Sequence, residues 1–189
     1  MKGKKEKGGY GYIGHRKKVY LLQSFLYVLI GIIIFLGGFL AFKRDAKNVC
    51  TMLAILMVLP FAKSMVEFVV LFPFHSPSKE AFERVKKMDL DGMELYSDLV
   101  ITSSEKVMNL DFLVEGKGTV IGVAGKKGQD VRYIDEYLTK GIRNWGADYN
   151  VKILGDEKKF MSALENIKPH EVTDIERKHV VSYIKSLIV

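Results

Sequence analysis

The chain has 189 residues, of which 48% are hydrophobic and 27% charged, with a formal net charge of +7. That length allows one modest domain with an additional segment. A single cysteine, Cys50, excludes an internal disulfide framework and any multi-cysteine metal site, and the composition excludes a disordered or collagen-like chain.

Residues 1–18 are basic and glycine-rich, carrying Lys2, Lys4, Lys5, Lys7, Arg16, Lys17 and Lys18, and read as a disordered tail. Val19 to Phe42 then runs without an Asp, Glu, Lys, Arg or His. As a helix it reaches about 36 Å, enough to cross a hydrocarbon core of roughly 30 Å. A second apolar run extends from Val49 to Phe72, and the polar residues 43–48 between them suit a tight hairpin loop. The first run is too long for a signal-peptide core, and no small-x-small cleavage pattern follows it. The expectation is a transmembrane hairpin of two helices, 19–42 and 49–72.

Lys and Arg counts orient such a hairpin. The tail carries seven, and Lys79, Arg84, Lys86 and Lys87 follow the second run, against Lys43, Arg44 and Lys47 in the loop. Both termini are therefore expected on the cytoplasmic side of a cell membrane. Gly37, Gly38 and Ala41 in the first run meet Cys50, Thr51 and Ala54 in the second, as small residues do where helix backbones approach. The Gly37-x3-Ala41 spacing also admits a homo-oligomer. Lys63 and Glu67 lie one turn apart inside the second run, just after Pro60. A charge at mid-bilayer costs about 2.5–3.5 kcal/mol on insertion scales. The pair reads as a local ion pair, as charges that snorkel to the interface, or as an ion path or partner contact.

The net charge invites a nucleic-acid reading, but it is unevenly distributed. Residues 73–189 hold 18 Lys plus Arg against 19 Asp plus Glu, and residues 1–72 hold 11 against 3. The basic excess belongs to the tail and membrane flanks, which fits anionic lipid headgroups better than nucleic acid.

The remainder reads as a small α/β domain in the order α-β-β-β-α-β-α-α. Ser76-Pro77 opens a helix to about Met88. Leu95–Thr102, Val107–Val114 and Thr119–Ala124 read as strands. Asp130 caps a helix with Val131, Ile134, Leu138, Ile142 and Trp145 at helical spacing. Asn150–Leu154 is a strand, Asp156 starts a helix with Phe160, Leu164 and Ile167 inward, and Thr173 to Glu176 is a capping box. The last helix carries Ile175, Val180, Tyr183, Ile184 and Leu187 as its apolar stripe. If residues 115–118 form a four-residue turn, Val114 opposes Thr119 and Asp111 opposes Gly122. Met108, Leu110, Phe112 and Val114 then share a core face with Ile121 and Val123, while Asp111 and Ala124 lie on the other.

The run from Asp111 to Lys126, set in this order of elements, resembles the core of PD-(D/E)XK nucleases and of nuclease-related membrane-associated domains over residues 77–155. The resemblance implies that Asp111 binds a divalent metal and that Lys126 orients or activates the attacking water. The family's metal-binding Glu, two residues before the Lys, is replaced by Ala124. One Asp and a methyl group offer a hard cation too little charge, so a relocated carboxylate, Glu115, Glu80 or Glu83, is required, or the domain is a degenerate, inactive relative. Separately, Gly125, Lys126, Lys127 and Gly128 lie between a strand and a helix where a phosphate could be cradled, though they match neither the P-loop nor the dinucleotide fingerprint. His15, His75, His170 and His179 are scattered and form no metalloprotease or triad motif.

Three functions follow in order. The first is a membrane-tethered, non-enzymatic domain that binds a protein partner or small ligand and needs no cofactor. The second is a metal-dependent nuclease-like enzyme using Asp111 and Lys126. The third is a phosphate- or nucleotide-binding module at Gly125–Gly128.

Overall fold

The computed structural model describes residues 6–42, 45, 47–88, 90, 92–125, 127–167 and 170–189. The chain divides into two compact units, one comprising the chain up to Ile13 together with Phe74–Val189, the other Gly14–Pro73.

The second unit is built from α1 (Tyr12–Ala41), α2 (Val49–Leu56) and α3 (Val58–Leu71). Two helical stretches, Tyr12–Ala41 and Val49–Leu71, are long and apolar enough to cross a membrane. Helix α1 starts well before the apolar run at Val19, and Arg16, Lys17 and Lys18 are good helix formers that suit this first part. The second stretch is broken at Met57. Pro60 explains the break: it lacks the N–H that would bond the Leu56 carbonyl, so it sits in the first turn of a new helix. Gly38 lies directly against Cys50, and Gly31 against Met57 and the Ala54 carbonyl, whereas Gly37 faces nothing within 4 Å. The Lys17 ammonium donates to the Phe72 carbonyl at 2.9 Å, joining the other ends of the helices.

The first unit contains α4 (Lys79–Lys86), β1 (Glu94–Thr102), β2 (Val107–Gly116), β3 (Thr119–Ala124), α5 (Val131–Arg143), β4 (Asn150–Leu154), α6 (Glu157–Glu165) and α7 (Asp174–Leu187). The strands form one mixed sheet in the order β1-β2-β3-β4, with β3 and β4 parallel and the other pairs antiparallel. Both faces are covered. Ile134, Leu138 and Ile142 of α5 and Val180 and Ile184 of α7 pack with Leu99, Leu110, Leu113 and Val120. Ala81 and Val85 of α4 and Phe160 and Leu164 of α6 pack with Phe112, Val114, Ile121 and Val123.

Part of the expected tail belongs to this unit. Ser97 N–H donates to the Gly8 carbonyl at 2.7 Å, Tyr10 stacks on Phe82, and Tyr12 and Ile13 are buried. The glycines and lysines around them mask this small apolar set in the sequence. Residues 1–5 lie outside the described part of the chain. Gly8, with Val189 N–H on the Val100 carbonyl, covers the free edge of β1, which limits pairing with other chains.

The central hairpin departs from the expected register. Its turn has two residues, Lys117 and Gly118, at φ 50° and 67°, so Val114 opposes Ile121. Two left-handed residues make the tight turn whose twist matches paired strands. A shift of two residues preserves the faces, but a β-bulge between Leu110 and Phe112 does not. Met108 and Leu110 therefore join the α5/α7 core, while Phe112 and Val114 join the α4/α6 core. Three smaller differences follow from element ends. Helix α4 is capped by Ser78, not Ser76. Helix α5 stops at Arg143, leaving Trp145 48% exposed, and Ile175, in the first turn of α7, is 68% exposed.

Candidate functional site

Strands β3 and β4 run parallel, and the helices that follow them separate: α5 covers one face of the sheet and α6 the other. Where connections part in this way a crevice opens beyond the carboxyl ends of the strands. A cleft of about 350 Å³ lies there, lined among others by Ser78, Asp111, Gly125, Gln129, Asp156 and Glu157.

Asp111 reaches the cleft because of the bulge. Its cross-strand neighbour on β1 is also irregular: Asp98 adopts φ 58° and is skipped between the pairs Ser97↔Phe112 and Leu99↔Leu110. Asp98 is fully buried. Ser76 Oγ donates to its Oδ2 at 2.8 Å, and the N–H groups of Gly11, Tyr12 and Ile13 face its carboxylate. Burial pushes its pKa up against these donors.

The backbone behind Asp111 is tightly fixed. Gln129 mimics a strand, accepting from Asn109 N–H at 2.7 Å and donating to the Asn109 carbonyl at 2.9 Å. Asn109 Nδ2 donates to the Leu99 carbonyl at 3.2 Å, which sends its Oδ1 toward Gly125. A Cβ on Gly125 would lie under 3.0 Å from both Asn109 Oδ1 and Asp111 Oδ1, so a larger residue there would displace these side chains. Two acceptor oxygens thus converge on one side of the cleft.

Among the described residues, the Asp111 carboxylate has no hydrogen bond or ion pair. Burial first, then the negative charges of Asp98 and Glu157, push its pKa up to about 6. The neighbouring acids are engaged. Glu157 pairs with Arg84 at 2.7 Å, and Asp156 caps α6 through Lys158 and Lys159 N–H. Among the described residues, Asp111 is the cleft acid without a hydrogen-bond or ion-pair partner.

The other residues singled out in the sequence are dispersed. Lys126 lies outside the described residues, and Ala124 pairs with Leu110 beside the bulge. Glu115 is not in the turn: it is fully buried in β2, accepting from Tyr149 Oη at 2.9 Å and paired with Arg177 at 3.4 Å. Burial still pushes its pKa up. Glu80 and Glu83 do not line the cleft; the carboxylates near Asp111 come from α6 and β1. Lys127 and Gly128 are exposed, and Gly125 N–H is committed to the Asn109 carbonyl at 3.0 Å. The starts of α4, α5 and α6 are capped by Ser78, Asp130 and Asp156. A phosphate would meet the Asp111 and Asn109 oxygens there instead of open N–H groups. In α3, Lys63 is exposed and Glu67 half-buried, and they form no ion pair.

Sequence reading missed Asp98, Gln129 and Glu157, and set Asn109 on the Asp111 face of β2 without giving it a role. A trace of Asp98 was present: it is a charged residue in the middle of β1. No protein-family model, curated protein or solved structure matches the chain.

Proposed function

We propose that the chain is a membrane-anchored, non-enzymatic binding module whose α/β domain takes a small ligand bearing a hydrogen-bond donor, an amine or hydroxyl, at the Asp111 cleft. The observation that carries this reading is the carboxylate itself, half-buried in a cleft and, among the described residues, without a hydrogen-bond or ion-pair partner. A charge held in that state destabilises the fold unless something binds it. A donor group on a ligand would complement both Asp111 and Asn109 Oδ1.

The anchor is supported by exposure. Only 11% and 6% of the apolar windows of the two long helices is buried, with Leu22, Leu40 and Leu59 each about 70% exposed, so they are unlike the core helices of a soluble domain. In this reading lipid covers them, and the Lys and Arg asymmetry places both termini on the cytoplasmic side of the cell membrane. Protease added outside intact cells then leaves the α/β domain whole; its removal would reverse the topology.

The ligand reading is tested with the full chain in phosphatidylcholine nanodiscs, screened by ligand-observed NMR against small amine- and hydroxyl-bearing fragments. Fragments that bind wild type and are lost in Asp111→Asn, but kept in the surface variant Glu105→Gln, support it. Fragments indifferent to Asp111→Asn contradict it.

A further inference from the structure

Helix α3 presents two different faces. Ser64 is buried, while the face around Lys63 is open, with Leu59 68% and Val66 61% exposed. Lys63 and Glu67 stand on this open face one turn apart. Lysine preceding glutamate is the weaker order for a pair within one helix, and among the described residues neither side chain has an ion-pair or hydrogen-bond partner. In lipid an unpaired charge is costly and calls for an opposite one.

We infer that this face of α3 is an interface with a second copy of the chain. The charge pattern is self-complementary: a two-fold axis along the bilayer normal sets Lys63 of each copy against Glu67 of the other, giving two equivalent ion pairs. The offset between them is four residues along the helix, about 6 Å at 1.5 Å per residue, which an extended lysine spans. Leu59 and Val66 flank the pairs and seal them from lipid. The inference rests on the proposed membrane anchoring, because in water the two charges need no partner.

The test uses the full chain, labelled as separate donor and acceptor populations and reconstituted into phosphatidylcholine vesicles. Flotation is read first and energy transfer second. Wild type is expected to float and self-associate. K63E and E67K are each expected to weaken association about tenfold, the scale of a polar contact between membrane helices. Lys63→Met, which inserts more readily, is expected to weaken it as well. K63E copies mixed with E67K copies are expected to associate again, since an all-acidic face then meets an all-basic one. A chain that floats but stays monomeric, or a Lys63→Met variant that associates like wild type, overturns the interface and leaves the anchor standing. A chain that does not float overturns the anchor, and the interface with it.

Discussion

Strand β2 carries two carboxylates four residues apart in opposite circumstances. Glu115 is fully buried, yet Tyr149 and Arg177 meet both of its oxygens. Asp111 is less buried, yet has no partner among the described residues. Both pKa values are raised by burial. What differs is compensation. Glu115 has become part of the architecture, tying β2 to Tyr149 and α7. Asp111 is held open by a bulge, a glycine and a glutamine clamp, as expected of a group reserved for something outside the chain.

The largest effect should come from breaking the compensated end. Arg177→Ala strands the Glu115 charge, and about 3 kcal/mol of stability is expected to be lost at neutral pH. Urea unfolding of the full chain in micelles, followed through Trp145, the chain's single tryptophan, measures it. The loss should shrink in acid as Glu115 takes up a proton. If it is below about 1 kcal/mol, the pair is no more than a surface contact.

Gly125→Ala should rank next, at about 2 kcal/mol, because the new Cβ displaces the Asp111 and Asn109 side-chain oxygens, and Asn109 is held by its bond to the Leu99 carbonyl. Fragment binding at the cleft should fail with it. An alanine variant as stable as wild type would mean that the clamp is loose.

Asp111→Asn should have the opposite sign. The folded carboxyl titrates at about 6, above its ordinary value, so ionisation penalises the folded state. Asp111's stability contribution is complete below the unfolded pKa, about 4, and lost as pH rises through the folded one. The variant is therefore expected to be more stable than wild type by about 1 kcal/mol at pH 8, a figure discounted for partial solvation, and equal to it near pH 3. Ile175→Ser, on the open side of α7, should change stability by less than about 0.5 kcal/mol; a larger loss would return Ile175 to the core.

Much of this molecule was legible in its sequence where one local rule governs. The Thr173–Glu176 capping box is present, Asp130 and Asp156 cap their helices, and the apolar runs form the long exposed helices. Legibility fails where backbone geometry changes the side-chain period. Alternation along β2 assigned Leu110 and Phe112 to one face, and a single inserted residue sends them to two. A two-residue turn likewise moved Glu115 from a loop into the core. Asp111 was visible as a polar residue on a strand, but its surroundings were not: beside its strand neighbour Asn109, the residues Asp98, Gln129 and Glu157 come from other elements and meet it only through the fold.

The most direct test is a carboxyl-resolved NMR titration of the full chain, with the Asp111 resonance assigned by its loss in Asp111→Asn. A midpoint near 6 is predicted. A midpoint at the ordinary aspartate value, about 3.9, would show the carboxylate to be hydrated or paired, and the cleft would lose its claim to a ligand.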